Sequence, residues 1–273
     1  DLNQDFSVED ITFPEAAQAR HFTATAYLRK VDAVIDVCKL KTHGMMGMSN
    51  AVKNFFGTIP GTMKPEYHYK YPKIEDFSDM IVDLCEYWKP RLCICDAVVG
   101  MEGNGPTQGQ PREIGCILAA QNAHKLDLAA CTLIGLQPDD VPTLQAAIRR
   151  GLCPAFPAEL SVSADPAAFA VKDYKTVPSQ SNVQFRYGGS GAIGRAIQSA
   201  LHGILTPKPK LHTDDCIGCS KCAKICPAHA ITMQRKKPVI DRGKCIRCFC
   251  CQEFCPKGAM GVSRPFIARL LNQ

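Results

Sequence analysis

Eight cysteines in two matching runs constrain this chain more than any other feature. Cys216-x2-Cys219-x2-Cys222-x3-Cys226-Pro227 is followed by Cys245-x2-Cys248-x2-Cys251-x3-Cys255-Pro256, each cysteine recurring 29 residues later. The repeat outlasts the cysteines, since Ala230-Ile231 answers Ala259-Met260. A constant offset of this kind is an internal duplication. Each half has room for a strand and a short helix, too little apolar material to fold without a metal centre. Of 16 cysteines in the 273 residues, nine lie between Lys210 and Arg264, and the other seven are scattered.

The spacing selects the metal. Three cysteines at intervals of three curl the chain around one centre, and the fourth, followed by proline, reaches the centre of the other half. This is the ligand pattern of two 4Fe-4S clusters. Cluster 1 takes Cys216, Cys219, Cys222 and Cys255; cluster 2 takes Cys245, Cys248, Cys251 and Cys226. Structural zinc favours separate Cys-x2-Cys pairs over runs of four closed by proline. A disulfide framework belongs to an oxidising compartment, and the first ten residues are polar and acidic, with no secretory signal. A cytoplasmic location is therefore expected. Residues 210–264 resemble bacterial-type two-cluster ferredoxins, with all eight ligand positions filled. The resemblance implies transfer of single electrons. Cys250 lies inside the second run but off the repeat, opposite Lys221 of the first, and reads as packing.

Charge follows the same division. Residues 210–264 hold 11 Lys/Arg against four Asp/Glu, a net of +7, whereas the rest of the chain carries −1. Each cluster with four thiolates brings about −2 when oxidised, so two of them leave roughly +3. That excess suits an acidic electron-donor protein. No nucleic-acid motif accompanies it and aromatics are only 7%, so nucleic acid is not expected as a partner. No apolar run reaches the length of a bilayer span, so neither is a membrane.

The whole chain is 46% hydrophobic and 21% charged, ample for a core. Periodicity predicts a buried strand within 27–39, a loop over 41–47 and a short helix over 49–56. An irregular stretch over 58–71 is expected from Pro60, Gly61 and Pro65. A helix over 74–87 follows, stopped by Pro90. A second buried strand, 92–99, runs into a glycine-rich loop over 100–109. A third apolar run at 115–120 precedes helices over 125–136 and 143–150. Strands alternating with helices are the α/β pattern, with the ligand crevice at the strand ends. The expected organisation is a layered α/β sheet domain over 1–163, then a linker over 164–209 carrying one helix (192–205). A small α+β two-cluster ferredoxin-like domain over 210–264 and a tail over 265–273 complete it.

Polar residues gather at the two crevice loops. Lys41 and His43 stand in the first and Asn104 in the second, and these three form the candidate catalytic set. Gly103 and Gly105, with backbone amides free to approach a negative group, and Lys53 and Asn54 are candidates for holding a cofactor or a small anionic ligand. Neither a Walker loop nor Gly-x-Gly-x-x-Gly is present. Cys93 and Cys95 share a strand face and belong to the core; Met45, Met46 and Met48 read as packing.

Several of these segments carry a second resemblance. Lys39-Leu40-Lys41-Thr42-His43-Gly44, Asn50-Ala51-Val52-Lys53-Asn54-Phe55-Phe56-Gly57, Asp96 through Gly100-Met101-Glu102-Gly103-Asn104-Gly105-Pro106 with Gly109, and Leu126-Asp127 are similar to the domain-of-unknown-function 362 family. The likeness covers roughly residues 27–152 and implies an iron–sulfur-associated protein, in which fusion to a two-cluster ferredoxin is familiar. Members usually have further upstream sequence, a Lys-Pro-Asn strand and another α/β unit, so a chain starting at Asp1 is expected to be truncated. The expected function is an iron–sulfur oxidoreductase relaying single electrons to a substrate or cofactor in the α/β domain. The alternatives are a non-catalytic electron carrier or subunit of a larger redox complex, and an anion-binding module with clusters as staples.

Overall fold

The computed structural model describes residues 3–177 and 207–263. Alternation in β3 (Ile35–His43) decides the sheet: Asp36, Cys38, Leu40 and Thr42 are buried, whereas Ile35, Val37 and Lys39 are exposed. β5 (Leu92–Asn104) runs parallel beside it, with Cys38 opposite Cys95. β6 (Gln108–Ala120) folds back antiparallel along β5, and β4 (Gly47–Ser49) pairs antiparallel with the other edge of β3. The order is β4-β3-β5-β6. Cys38, Leu40, Cys93, Cys95 and Ala97 join one core with the helices. Small side chains on the inner face let the helices approach closely. The core of α3 (Ile74–Trp88) is Phe77, Met80, Ile81 and Leu84, all fully buried at helical spacing. α1 (Ala51–Asn54), α4 (Ala123–Ile134) and α5 (Pro142–Arg149) complete the layer. The outer face keeps Ile35, Val37 and Ile117 exposed.

A hairpin of β1 (Val8–Thr12) and β2 (His21–Thr25) closes the far end, its Ile11, Phe22 and Ala24 entering the same core. Its loop is locked by fully buried Asp83, which accepts the backbone N–H groups of Ala17, Gln18 and Ala19 at 3.0, 2.7 and 2.9 Å. Arg150 of the turn after α5 completes that carboxylate's coordination at 2.8 Å.

Four segments differ from the pattern read in the sequence. The segment expected as a strand from Tyr27 begins with a 3-10 turn, Ala26–Lys30, and is extended only from Ile35. The expected loop over 41–47 is largely strand: Lys41, Thr42 and His43 pair with Ser49, Met48 and Gly47. The expected loop over 100–109 is the outer half of a long hairpin, because β5 and β6 keep pairing out to Asn104 and Gln108. The stretch 58–71 contains α2 (Lys64–Lys70), with Pro65 in its first turn, where the missing N–H costs nothing.

The first unit also runs beyond 163. Tyr174 is buried, its hydroxyl donates to the Met101 carbonyl at 2.8 Å, and Val171 N–H donates to the Leu133 carbonyl at 2.9 Å. The expected linker thus begins as packing on the sheet. The helix expected over 192–205 and the tail over 265–273 lie outside the described residues.

The second unit shows the duplication in three dimensions. β7 (Lys208–Leu211), α6 (Lys221–Lys224) and β8 (Ile231–Gln234) are answered by β9 (Lys237–Ile240), α7 (Cys250–Glu253) and β10 (Met260–Ser263). β8 pairs with β9, and β10 returns to pair with β7. Lys208-Pro209 therefore corresponds to Lys237-Pro238, and the repeat starts two residues before the boundary read at 210.

Candidate functional site

The eight repeated cysteines gather into the two expected sets. Cys216, Cys219, Cys222 and Cys255 line one cavity; Cys226, Cys245, Cys248 and Cys251 line another. Each run turns around its cavity through a non-glycine residue at positive φ, Ser220 at 59° and Phe249 at 60°, equivalent positions of the repeat. Four converging sulfurs per cavity are the donor set of a 4Fe-4S cluster, so the residues present fit that group. The Ala230 N–H donates to Cys226 Sγ at 3.3 Å. Buried Cys250 also lines the second cavity, and its thiol holds neighbouring Cys248 below the usual thiol range.

A second site lies where α7 meets the sheet domain. A cleft of about 390 Å³ is lined by Lys41 and His43 of β3, Lys53 of α1 and Phe56 just after it. Lys64 of α2, Pro106 and Thr107 of the β5–β6 turn, and Glu253 of α7 close it. Phe56 explains the cation placement: the Lys53 and Lys64 ammonium groups lie 4.6 and 5.6 Å from its ring centre. Burial lowers the Lys53 ammonium to a pKa of about 8, with Lys64 and Lys41 adding repulsion and Glu253 opposing it. Burial pushes the Glu253 carboxyl up, and Lys53, Lys64 and Lys41 pull it back.

His43 is held in one tautomer. Its Nδ1 accepts the Met45 and Met46 N–H groups at 3.1 and 3.2 Å, so the ring proton sits on Nε2, which faces Glu253 Oε1 at 3.6 Å. Burial, together with the Lys53, His68 and Lys41 charges, drives its pKa well below the usual range, which keeps the ring neutral. His68 stacks on Phe77 at 4.4 Å and leaves Nδ1 without a partner; burial lowers its pKa to about 3.

The structure therefore brings Lys41, His43 and Lys53 together. Asn54 lines the same cleft, but its amide donates to Asp36 at 2.6 Å. Asn104 ends β5 opposite Gln108 and does not line the cleft. Gly103 N–H donates to the Lys175 carbonyl at 2.7 Å and Gly105 N–H to the Gly103 carbonyl at 2.8 Å, so neither amide is free for a ligand. Gly105 serves close packing instead: a Cβ there would lie 2.0 Å from the Thr42 carbonyl oxygen. Lys39, also on the cleft wall, is neutralised by Asp96 at 2.6 Å.

Two cleft residues escaped the sequence reading. Lys64 was hidden in a stretch that Pro65 made look irregular. Glu253 looked like an ordinary residue of the repeat, yet its counterpart in the first half is Lys224, and that reversal of charge was legible.

The chain resembles known proteins in both units. Residues 1–132 match the family model described as domain of unknown function DUF362, and residues 208–256 match a 4Fe-4S dicluster domain. A thylakoid-associated protein of Synechocystis sp. is 36% identical over 135 residues, which are 49% of this chain and 42% of the relative. The chain thus spans less than half the length of the curated relative it matches. No described helix is long and apolar enough to cross a membrane.

Proposed function

Because the chain joins a domain-of-unknown-function 362 region to a 4Fe-4S dicluster domain, we propose that its iron–sulfur electron transfer serves a small anionic ligand held in the lysine cleft. The eight repeated cysteines hold two clusters, four thiolates each, and the clusters supply electrons one at a time. Lys41, Lys53 and Lys64 bind the ligand's negative charge. His43 presents its Nε2 proton toward Glu253 at the edge of the cleft, where it can orient a ligand oxygen. Phe56 and the short helix α1 fix the ammonium groups before the ligand arrives, which lowers the ordering cost of binding.

One observation carries this reading. Among the described residues, three lysines meet a single carboxylate at a cleft whose wall is the helix bearing Cys251. Charge left over beside a redox centre is matched by charge on a ligand. Exposed Lys221 and Lys257 beside exposed Cys219 support an acidic protein as the electron donor. Oxygen-sensitive clusters on eight thiolates suit a reducing compartment such as the cytoplasm.

Anaerobic protein with both clusters intact tests the reading. Equilibrium dialysis should show binding of inorganic phosphate or citrate, weakened about tenfold or more by Lys53→Ala, with the iron content unchanged. Absence of binding would favour the alternative, a carrier that docks a larger complex.

A further inference from the structure

The two halves of the dicluster unit are near copies, yet only one of them faces the cleft. α7 is a single turn of four residues, about 6 Å long. Cys250 and Cys251 at its start line the second cysteine cavity, and Glu253 at its end lines the cleft. Glu253 shares the lining of the cleft with Lys41, Lys53 and Lys64. The helix is anchored: Gln108 Nε2 of the β6 hairpin donates to the Gln252 carbonyl at 2.9 Å. The equivalent helix α6 ends in exposed Lys224 and contributes no residue to the cleft, whereas α7, which carries two cysteines of the second cavity, contributes Glu253. The charge at the repeated position is thus reversed only where the helix enters the cleft.

We propose that α7 makes the lysine cleft and the Cys226/Cys245/Cys248/Cys251 site one electrostatic unit and leaves the Cys216/Cys219/Cys222/Cys255 site outside it. An anion among the lysines and an added electron at the second site then oppose each other. The sign follows from the charges. Lys41, Lys53 and Lys64 favour extra negative charge nearby, and a bound anion cancels that help. One helical turn, α7, carries residues of both sites, so salt screens the interaction weakly. Coupling is reciprocal: if the anion makes reduction of the second cluster harder, reduction weakens the anion's binding by the same factor. The expected factor is about fivefold or more, the lower end of couplings between distinct sites. The consequence is directional. The oxidised protein holds the anion more tightly, and an electron added at the second site loosens it.

This inference rests on the reading that the cleft takes an anion and the cavities take clusters. Its test uses the anaerobic holoprotein, inorganic phosphate as the probe, and a spectroelectrochemical titration followed by electron paramagnetic resonance. Cys219→Ser and Cys248→Ser identify which signal belongs to which cluster. Phosphate should lower the midpoint potential of the signal altered by Cys248→Ser and leave the other in place. Its dissociation constant should rise about fivefold or more on reduction. Lys64→Gln should lower the same potential and blunt the phosphate response. Equal shifts of both signals, or phosphate binding with no shift in either, would overturn the coupling while leaving the anion site standing. If phosphate does not bind, the anion reading fails, and the Lys64→Gln potentials alone decide the coupling. A one-sided shift supports it, and an equal or absent shift overturns it.

Discussion

Glu253→Gln separates a binding cleft from an ion-pair network that only holds the two units together. The substitution keeps the shape and removes the carboxylate that, among the described residues, lines the cleft with Lys41, Lys53 and Lys64. Two like charges about 8 Å apart repel by roughly 2 kcal/mol at an effective dielectric constant of about 20. Water in the open cleft roughly halves that, so losing Glu253 should tighten binding of a small anion about fivefold. Stability should move the other way. The lysines lose their counter-charge, at a cost of roughly 1–3 kcal/mol, below the range for a sealed pair because the Glu253 side chain is 23% exposed. Saturating anion should then offset the loss, since ligand at a hundred times its dissociation constant adds about 2.7 kcal/mol. The assay is anaerobic thermal unfolding with and without phosphate, beside equilibrium dialysis. A variant that is destabilised to the same degree in both conditions, with phosphate affinity unchanged or weaker, would refute the reasoning and leave Glu253 as a structural contact alone.

Anaerobically prepared protein should hold about eight iron and eight acid-labile sulfide per chain, as two 4Fe-4S clusters require; full zinc occupancy without sulfide would end the assignment. Cys226→Ala should damage the cluster of Cys245, Cys248 and Cys251, not that of its own run, as the cavity linings place it; magnetic resonance spectra showing the reverse would exchange the ligand sets. Sulfate, whose charge is constant over the range, should bind more weakly as pH rises through about 8, because Lys53 loses its proton there rather than near 10.5; affinity that stays flat up to pH 10 would remove Lys53 from the site. Gly105→Ala should destabilise the sheet domain by roughly 3 kcal/mol, since backbone rather than a yielding side chain lies 2.0 Å from the new methyl; denaturant midpoints that match the parent's would show that the turn gives way.

How much of this was legible before the structure depends on what each signal needed. The dicluster unit is local: its ligands are fixed by spacing within a run, and the exchange of the fourth cysteine is the pattern of the two-cluster ferredoxins it resembles. The inner face of the sheet was legible because alternation in β3 and helical spacing in α3 are local too. The hairpin of β5 and β6 was not. Its outer strands are rich in Gly and polar residues, and they are held by pairing with each other and by Tyr174, some 70 positions away in sequence. Gly103 and Gly105 left the ligand site because their amides are already bonded to the carbonyls of Lys175 and Gly103 and have nothing left to offer an anion. Lys41 and His43 were found as chemistry on the wrong element: they line the cleft from a strand, and a strand holds their spacing more firmly than a loop does.

Duplication is what makes the remaining signal informative. Two copies of one motif begin with the same surface, so each position where they differ marks a place where the surroundings differ. Lys221 is answered by Cys250 and Lys224 by Glu253, both on α7. The first change puts a buried thiol against Cys248, and the second puts a carboxylate among three lysines. An exposed helix tolerates lysine at both places, as α6 does. A helix wedged between a cluster and a cationic cleft does not, because two more ammonium groups there would repel Lys53 and Lys64 and lose their water without a partner. Among the many positions where the halves differ, Cys250 and Glu253 are two on the helix that meets the sheet domain. They also predict which half can be exchanged: replacing the α7 sequence Cys250-Cys251-Gln252-Glu253 by that of α6 should preserve the cysteine ligand yet separate the units. That separation would appear as loss of anion binding.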